Sequence, residues 1–382
     1  MSNVEYVSRN KNIDFLRAVA ILLVMVVHFP RLRQFLPLLN PWSGVDLFFA
    51  ISGFVVATSF VPQVDIALDK SSDCREKSVA FVRHAKAFFV RRFMRIMPAL
   101  VFALSFYISL GLLIKEPTLG SFYGITPELF AIFTYTANFF AGYSGTSVLG
   151  WHWSLAAEEQ FYFIFPFFIV ICRSWRSRVW LSLIGLAVMT FVLRPYGTTW
   201  FGSPPALMYL PQFRNDAIGY GFLIFAASRQ PWFNILSPSV IASNSWFLLP
   251  TILILIFIIA LAPQLALNYS VAVPTIGMAS AALLYLAVST ELPFIKLKPL
   301  ESIFAWIGLR SYGLYLLHIP IVRLTQHIET LISSPDHTIG YKAHFVIVIA
   351  SLTAIVEFSY RFIEMPTMQL GRKWSREILK IS

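Results

Sequence analysis

Charge is scarce in this chain. Of its 382 residues only 13% are Asp, Glu, Lys or Arg, about half the share carried by an ordinary water-soluble domain. A soluble globular class is therefore excluded. Cysteine is scarcer still. Cys74 and Cys172 stand alone without paired spacing, which leaves neither a disulfide framework nor a cysteine metal site. No glycine-rich phosphate loop accompanies the basic stretches, so nucleoside triphosphatase chemistry lacks its cradle. No small-residue cleavage site follows the first apolar run. His28, Phe29, Pro30 and Arg31 come there instead, and the run reads as a retained anchor. Clear internal repeats, the mark of many transporters, are also missing.

What is present is hydrophobic. Apolar residues make up 57% of the chain and the mean hydropathy is +0.68. Both point to an all-α polytopic membrane bundle. Apolar runs at 13–30, 45–62, 95–114, 155–172, 178–193, 207–227, 246–262, 270–288, 303–322 and 343–363 each approach the length of a membrane-spanning helix. The stretch 127–141 is shorter and contains Thr134, Thr136 and Asn138. If it does not cross, the Lys/Arg-rich segments 63–93, 173–177 and 371–382 share a side with the N-terminus, as the positive-inside rule requires. The expectation is ten spans, both ends cytoplasmic, and an external, partly buried segment at 127–141. The same rule accounts for the net charge of +11 without a nucleic-acid partner.

The first span carries Arg17 near one end and His28 near the other. Eleven positions are close to three helical turns, so both side chains project from one face about 16 Å apart along the axis. Such groups are costly in lipid unless their face lines something wet or reactive. Asp46 opens the second span. It reads either as half of a capping box with Ser43 or as a carboxylate that fixes the tautomer of the His28 imidazole and stabilises its protonated form. Arg92 and Arg95, three apart on a helical face, can clamp phosphate. With Arg17 they make a cytoplasmic anion site, while Arg91 reads as an anchor.

At the head of the fourth span, Glu158 is the carboxylate expected to face inward, and Trp151 and Trp153 read as interfacial residues. His318 closes the ninth span as a structural hydrogen-bonder or a base. Arg214 and Asp216 interrupt the sixth as an internal salt bridge. On this topology cations gather at one mouth, and carboxylates with imidazoles at the other. His327, His337 and His344 show no metal-ligand spacing, and no metal site is expected.

Arg17-x10-His28, then SGVDLFFAISGF from Ser43, RRFMRIMP from Arg91, WSLAAEEQFY from Trp153, SYGLYLLHIP from Ser311 and the exit Arg361-Phe362-Ile363-Glu364 follow one another along almost the whole chain. Together they resemble the membrane-bound acyltransferase-3 family, which acylates sugars and related molecules at the cell envelope. The resemblance implies a ten-helix bundle that takes acyl-CoA, with acetyl the expected group, from the cytoplasm. It also implies an extracytoplasmic hydroxyl acceptor such as O-antigen, exopolysaccharide, another glycan or a lipid-linked sugar. Arg17, Arg92 and Arg95 would hold donor phosphates, His28 and Asp46 would be the catalytic pair, and Glu158, His318 and Ser52 would support the site or the acceptor.

The implied protein is a multi-pass enzyme of the cytoplasmic (inner) membrane in contact with lipids. Residues 1–382 are expected to form one acyltransferase domain, without the extracytoplasmic domain some relatives carry. The Arg17–His28 separation, about the length of an extended pantetheine arm, fits this mechanism. Direct transfer is preferred, with Ser52 the nucleophile if an acyl-enzyme forms. The alternative is a transporter or flippase using the same buried charges, which would move substrate without covalent change.

Overall fold

A computed structural model describes residues 10–29, 36, 42–114, 122–144, 147–201, 208–233, 244–265, 269–290, 292–332 and 341–380. Pro30 and His337 lie outside them. Among the described residues the fold is all helical. Helix α1 (Lys11–His28) starts where the Asn10 side chain accepts from the Asn12 and Ile13 amides, a cap for otherwise unpaired N–H groups. Helix α2 (Gly44–Lys70) returns beside it, and α3 (Cys74–Leu113) follows. At 40 residues α3 is about 60 Å long, twice the hydrocarbon thickness. Its basic N-terminal half therefore runs on beyond the apolar one.

Helices α4 (Phe122–Phe133) and α5 (Ala137–Ser144) form an elbow, each too short to span. Tyr135 turns the chain with a φ of 55°, a conformation that strains an L side chain. Gln160 holds it by donating to the Tyr135 carbonyl (2.6 Å) while exchanging hydrogen bonds with buried Asn138. A 3₁₀ turn (Gly150–His152) leads into α6 (Trp153–Ile171). Helix α7 (Trp175–Val188) runs through a π-helical turn (Met189–Leu193) into α8 (Arg194–Phe201).

The short α9 (Pro211–Arg214) breaks at Asn215 before α10 (Asp216–Ser228). Then come α11 (Ser245–Leu265), α12 (Tyr269–Ser289), α13 (Lys298–Leu309) and α14 (Ser311–Ile332). Helix α15 (Tyr341–Ser359) continues through a π turn into α16 (Met365–Lys380), which lies along α3.

Helices α1, α2, α10 and α12 pack at the centre. Gly53 and Gly221 make the α2–α10 contact possible. A Cβ on Gly53 would stand 2.1 Å from the Ile218 carbonyl oxygen, and one on Gly221 would stand 2.0 Å from that of Ala50. Small residues that let helix backbones touch are the usual means of close packing in lipid, where no hydrophobic force drives helices together.

Among the described residues seven helices are long and apolar enough to cross a membrane, and they coincide with seven of the ten expected spans. The other three depart from expectation for identifiable reasons. Helix α1 carries Lys11, Asp14 and Arg17 within its 18 residues. The apolar part of 207–227 is reduced by the break at Asn215 to the 13 residues of α10. The run 303–322 is not one helix. It breaks at Arg310, whose guanidinium is drawn aside to Glu357 of α15 (2.5 and 3.0 Å) and sits over the rings of Trp306 and Tyr360.

Candidate active site

Two cavities lie along the Arg17–His28 face of α1, one at each end. The first is lined by Arg17 from α1, Ser52 from α2, Arg92 and Arg95 from α3, Glu158 from α6, and Tyr312 and Tyr315 from α14. The three arginines singled out in the sequence thus converge from two helices. Arg17 reaches back to Asp14 (3.1 Å). The Arg92 guanidinium lies 3.9 Å from the centre of the Tyr162 ring, a cation–π contact that orients it without neutralising it. Ser52 Oγ and the Tyr162 hydroxyl both donate to the same Glu158 carboxylate oxygen. Glu158 therefore belongs to the arginine cavity. It comes five residues into α6, more than a full turn below Trp153.

The second cavity is lined by His28 and Val24 of α1, Trp42, Val45, Trp151, Trp153, Tyr209, Arg214 and Tyr315, among others. His28 Nδ1 lies 2.9 Å from the Val24 carbonyl oxygen. A carbonyl only accepts, so Nδ1 carries the proton and Nε2 keeps its lone pair. The tautomer expected to be fixed by Asp46 is fixed by the helix's own backbone. His318, fully buried, stands with its ring centre 5.0 Å from that of His28. Its Nδ1 is bound in the same way, to the Tyr315 and Leu314 carbonyls (2.7 and 3.2 Å), and its Nε2 has no partner. His152 repeats the pattern on the Leu149 carbonyl and is buried rather than interfacial.

Asp46 is fully buried and does not share its oxygens with His28. Both are taken by Arg214, Nε on Oδ1 at 2.9 Å and Nη2 on Oδ2 at 2.6 Å. The capping-box reading also fails. Ser43 is buried in helical conformation, and its hydroxyl donates to the Ile259 carbonyl of α11 (2.6 Å). Arg214 donates in addition to the Tyr269 hydroxyl (2.8 Å), and its guanidinium lies 4.1 Å from the Trp42 ring centre.

The expected internal salt bridge between Arg214 and Asp216 is replaced by two long-range pairs. Asp216 binds Arg194 (3.1 Å), whose guanidinium also donates to the Phe213 carbonyl (3.1 and 2.9 Å) left open by the break at Asn215. A cation thus stands in the histidine cavity and a carboxylate in the arginine cavity, so the expected separation of charge between the two mouths does not hold.

Sequence reasoning missed the actual partner of Arg214, the part played by Arg194, and the aromatic lining. Trp42, Trp151 and Trp153 carry the ordinary signature of interfacial residues, yet here they wall the cavity beside His28. The approach to Trp151 is held by Glu128 of α4, buried to 5% exposure. Its carboxylate accepts from Ser147 Oγ (3.0 Å) and from the amides of Val148 and Leu149 (2.8 and 2.7 Å). The 127–141 stretch therefore includes a clasp for the turn that carries Trp151 and His152. Among the described residues no group of three or more His, Cys, Asp or Glu side chains is placed to hold a metal ion.

Comparison with known proteins gives the same neighbourhood. A family profile described as an acyltransferase domain matches residues 10–357. The peptidoglycan O-acetyltransferase OatA of Listeria monocytogenes is 29% identical over 94% of this chain and 56% of its own length. The putative peptidoglycan O-acetyltransferase YrhL of Bacillus subtilis is 29% identical over 96% and 56%. The O-acetyltransferase OatA of Staphylococcus aureus is 26% identical over 94% and 57%. The chain thus spans a little over half the length of these relatives. No solved structure matches.

Proposed function

The chain belongs to the acyltransferase-3 family, and from that premise we propose that it is an integral membrane O-acetyltransferase carrying the acetyl group of cytoplasmic acetyl-CoA to a hydroxyl of an extracytoplasmic glycan. In this reading the bundle crosses ten times with both ends cytoplasmic. The arginine cavity then opens to the cytoplasm and the histidine cavity to the outside. The single observation that carries it is the pair of cavities strung along one face of α1, with three arginines at one end and an imidazole with a free Nε2 at the other. The glycan acceptor is supported by the likeness to peptidoglycan O-acetyltransferases.

Arg17, Arg92 and Arg95 bind the phosphates of the donor, and the pantetheine arm runs about 16 Å along α1 to bring the thioester to His28. His28 Nε2 takes the proton of the acceptor hydroxyl as its oxygen attacks the thioester carbonyl carbon. The tetrahedral intermediate collapses, the C–S bond breaks, and the imidazolium returns the proton to the departing thiolate. Ester and free CoA thiol are the products. Arg214, held in place by Asp46, supplies positive charge where the carbonyl oxygen becomes negative. Its orientation is set before the reaction, so no solvent has to rearrange. Ser52, engaged with Glu158 among the arginines, supports the donor end; the hydroxyl attacks directly and no acyl-enzyme forms.

Arg92→Gln and Arg95→Gln test the donor site. A charge-assisted hydrogen bond contributes about 1.5–3 kcal/mol, so each variant is expected to raise the KM for acetyl-CoA by about 10- to 100-fold. The kcat at saturating donor should stay within a few-fold of the parent. Initial rates in detergent-solubilised protein at varied acetyl-CoA measure this. A fall in kcat with unchanged KM would place these side chains outside the donor site.

A further inference from the structure

Two residues, Val45 and Tyr315, line both cavities. The two cavities therefore meet at these two side chains. Tyr315 is fastened across this point from α14. Its hydroxyl donates to the Trp151 carbonyl and accepts from Ser154 Oγ (2.7 Å), so the ring is pinned to the 3₁₀ turn and the start of α6. Its own carbonyl accepts from His318 Nδ1, and the His318 ring meets that of His28 edge-on. Val45 is the other shared wall, in the first turn of α2 next to Asp46 and 7% exposed.

We propose that Tyr315, with Val45 opposite, is the partition between the donor and acceptor chambers and selects the acyl group by cross-section. The inference rests on the acyltransferase reading above and adds to it the residue that limits what is transferred. An acyl thioester threads the gap with its acyl end first. A methyl group and a straight chain present nearly the same cross-section, whereas a branched acyl group presents a wider one and meets the Tyr315 ring. Once the pantetheine arm fills the gap, the partition also keeps the two aqueous mouths from joining. Without it, water reaches the thioester. Water oxygen then adds to the carbonyl carbon and the C–S bond breaks; one water proton goes to the thiolate, so that acetic acid and free CoA thiol form, and the acid gives its remaining proton to solvent.

The test uses the full chain reconstituted in lipid vesicles, with acetyl-CoA and isobutyryl-CoA as donors. Release of CoA thiol is followed with and without a glycan acceptor. Differences of a methyl or methylene in a tight apolar site shift selectivity by about 10- to 200-fold. Tyr315→Ala is therefore expected to raise isobutyryl transfer relative to acetyl transfer at least about 10-fold, and to raise acceptor-independent CoA release relative to transfer. Tyr315→Phe keeps the ring and loses only the hydroxyl's hydrogen bonds, so both ratios should stay within about 5-fold of the parent. Val45→Ala widens the gap from the other wall and should move both ratios in the direction of Tyr315→Ala, which keeps the test alive if Tyr315→Ala fails to fold.

A uniform loss of rate with both ratios unchanged in Tyr315→Ala and Val45→Ala would overturn the partition and leave the acyltransferase reading standing. No CoA release from either donor by the parent protein, with or without acceptor, would remove that reading and the partition together.

Discussion

Replacing His28 by alanine is expected to lower kcat by about 10²- to 10⁴-fold, the range that a positioned general base contributes. The folded bundle and the KM for acetyl-CoA should both persist. The imidazole is half-buried at the end of α1, and its Nδ1 hydrogen bond runs to a carbonyl one turn back on the same helix. No long-range contact of the bundle depends on that bond. In the proposed mechanism the donor phosphates are bound by arginines about 16 Å away along the helix axis, so donor affinity would be set elsewhere. Acetyl transfer measured at saturating donor, beside the thermal midpoint of the purified variant, separates the two effects. His28→Ala that folds normally and transfers at the parental rate would remove it as the base.

The second large effect concerns Asp46. Removing one partner of a buried ion pair strands the other charge and costs about 3–5 kcal/mol. Asp46→Ala is expected to lose that much stability, because Arg214 would keep its charge inside the bundle with the Tyr269 hydroxyl and the faces of Trp42 and Trp153, but no carboxylate of its own, to satisfy it. Replacing both partners by apolar residues of similar size is often neutral for stability. The double variant Asp46→Leu with Arg214→Met should therefore recover most of the thermal midpoint.

It should not recover transfer, because the cation beside His28 is gone. A double variant that is both stable and active would reduce the pair to a structural element. Asp46 would then have no part in catalysis. Failure of the double variant to regain stability would instead show that this pair is needed for the fold itself, as a register-setting polar contact between α2 and the α9–α10 break.

The residues legible in the sequence are those whose relation is local. Arg17 and His28 share a face because they share one uninterrupted helix, and Arg92 and Arg95 share theirs for the same reason. Periodicity alone brings each pair together. The joining of Arg17 with Arg92 and Arg95 followed from the expected topology, which puts all three at the cytoplasmic ends of their spans.

Arg214 was paired with the wrong carboxylate because its partner, Asp46, lies 168 residues earlier. A charge within an apolar run can be answered from any neighbouring helix, and periodicity does not say which. The same holds for Asp216 with Arg194. Glu158 was assigned to the wrong end because position in a span was used as a proxy for depth. The 3₁₀ turn before α6 shifts that depth by several residues, and the Ser52 and Tyr162 hydroxyls bind the carboxylate there. The break at Arg310 left little signal in hydropathy, since 303–322 is apolar apart from that residue, Ser311 and His318. Its cause is the pull of Glu357 from α15 and the backbone approach of Gly308 to Asp14 of α1, where a Cβ would stand 2.1 Å from the carbonyl oxygen.

The central claim is that donor and acceptor meet inside the bundle from opposite faces of the membrane. The most direct measurement uses sealed vesicles in which the protein has one known orientation. Acetyl-CoA is supplied only to the face of the basic α3–α16 arm, and a glycan acceptor only to the other. The account predicts acetyl ester on the acceptor and free CoA thiol on the donor face, with no ester when the two substrates exchange sides. Ester formed only when both substrates are on the same face would contradict it.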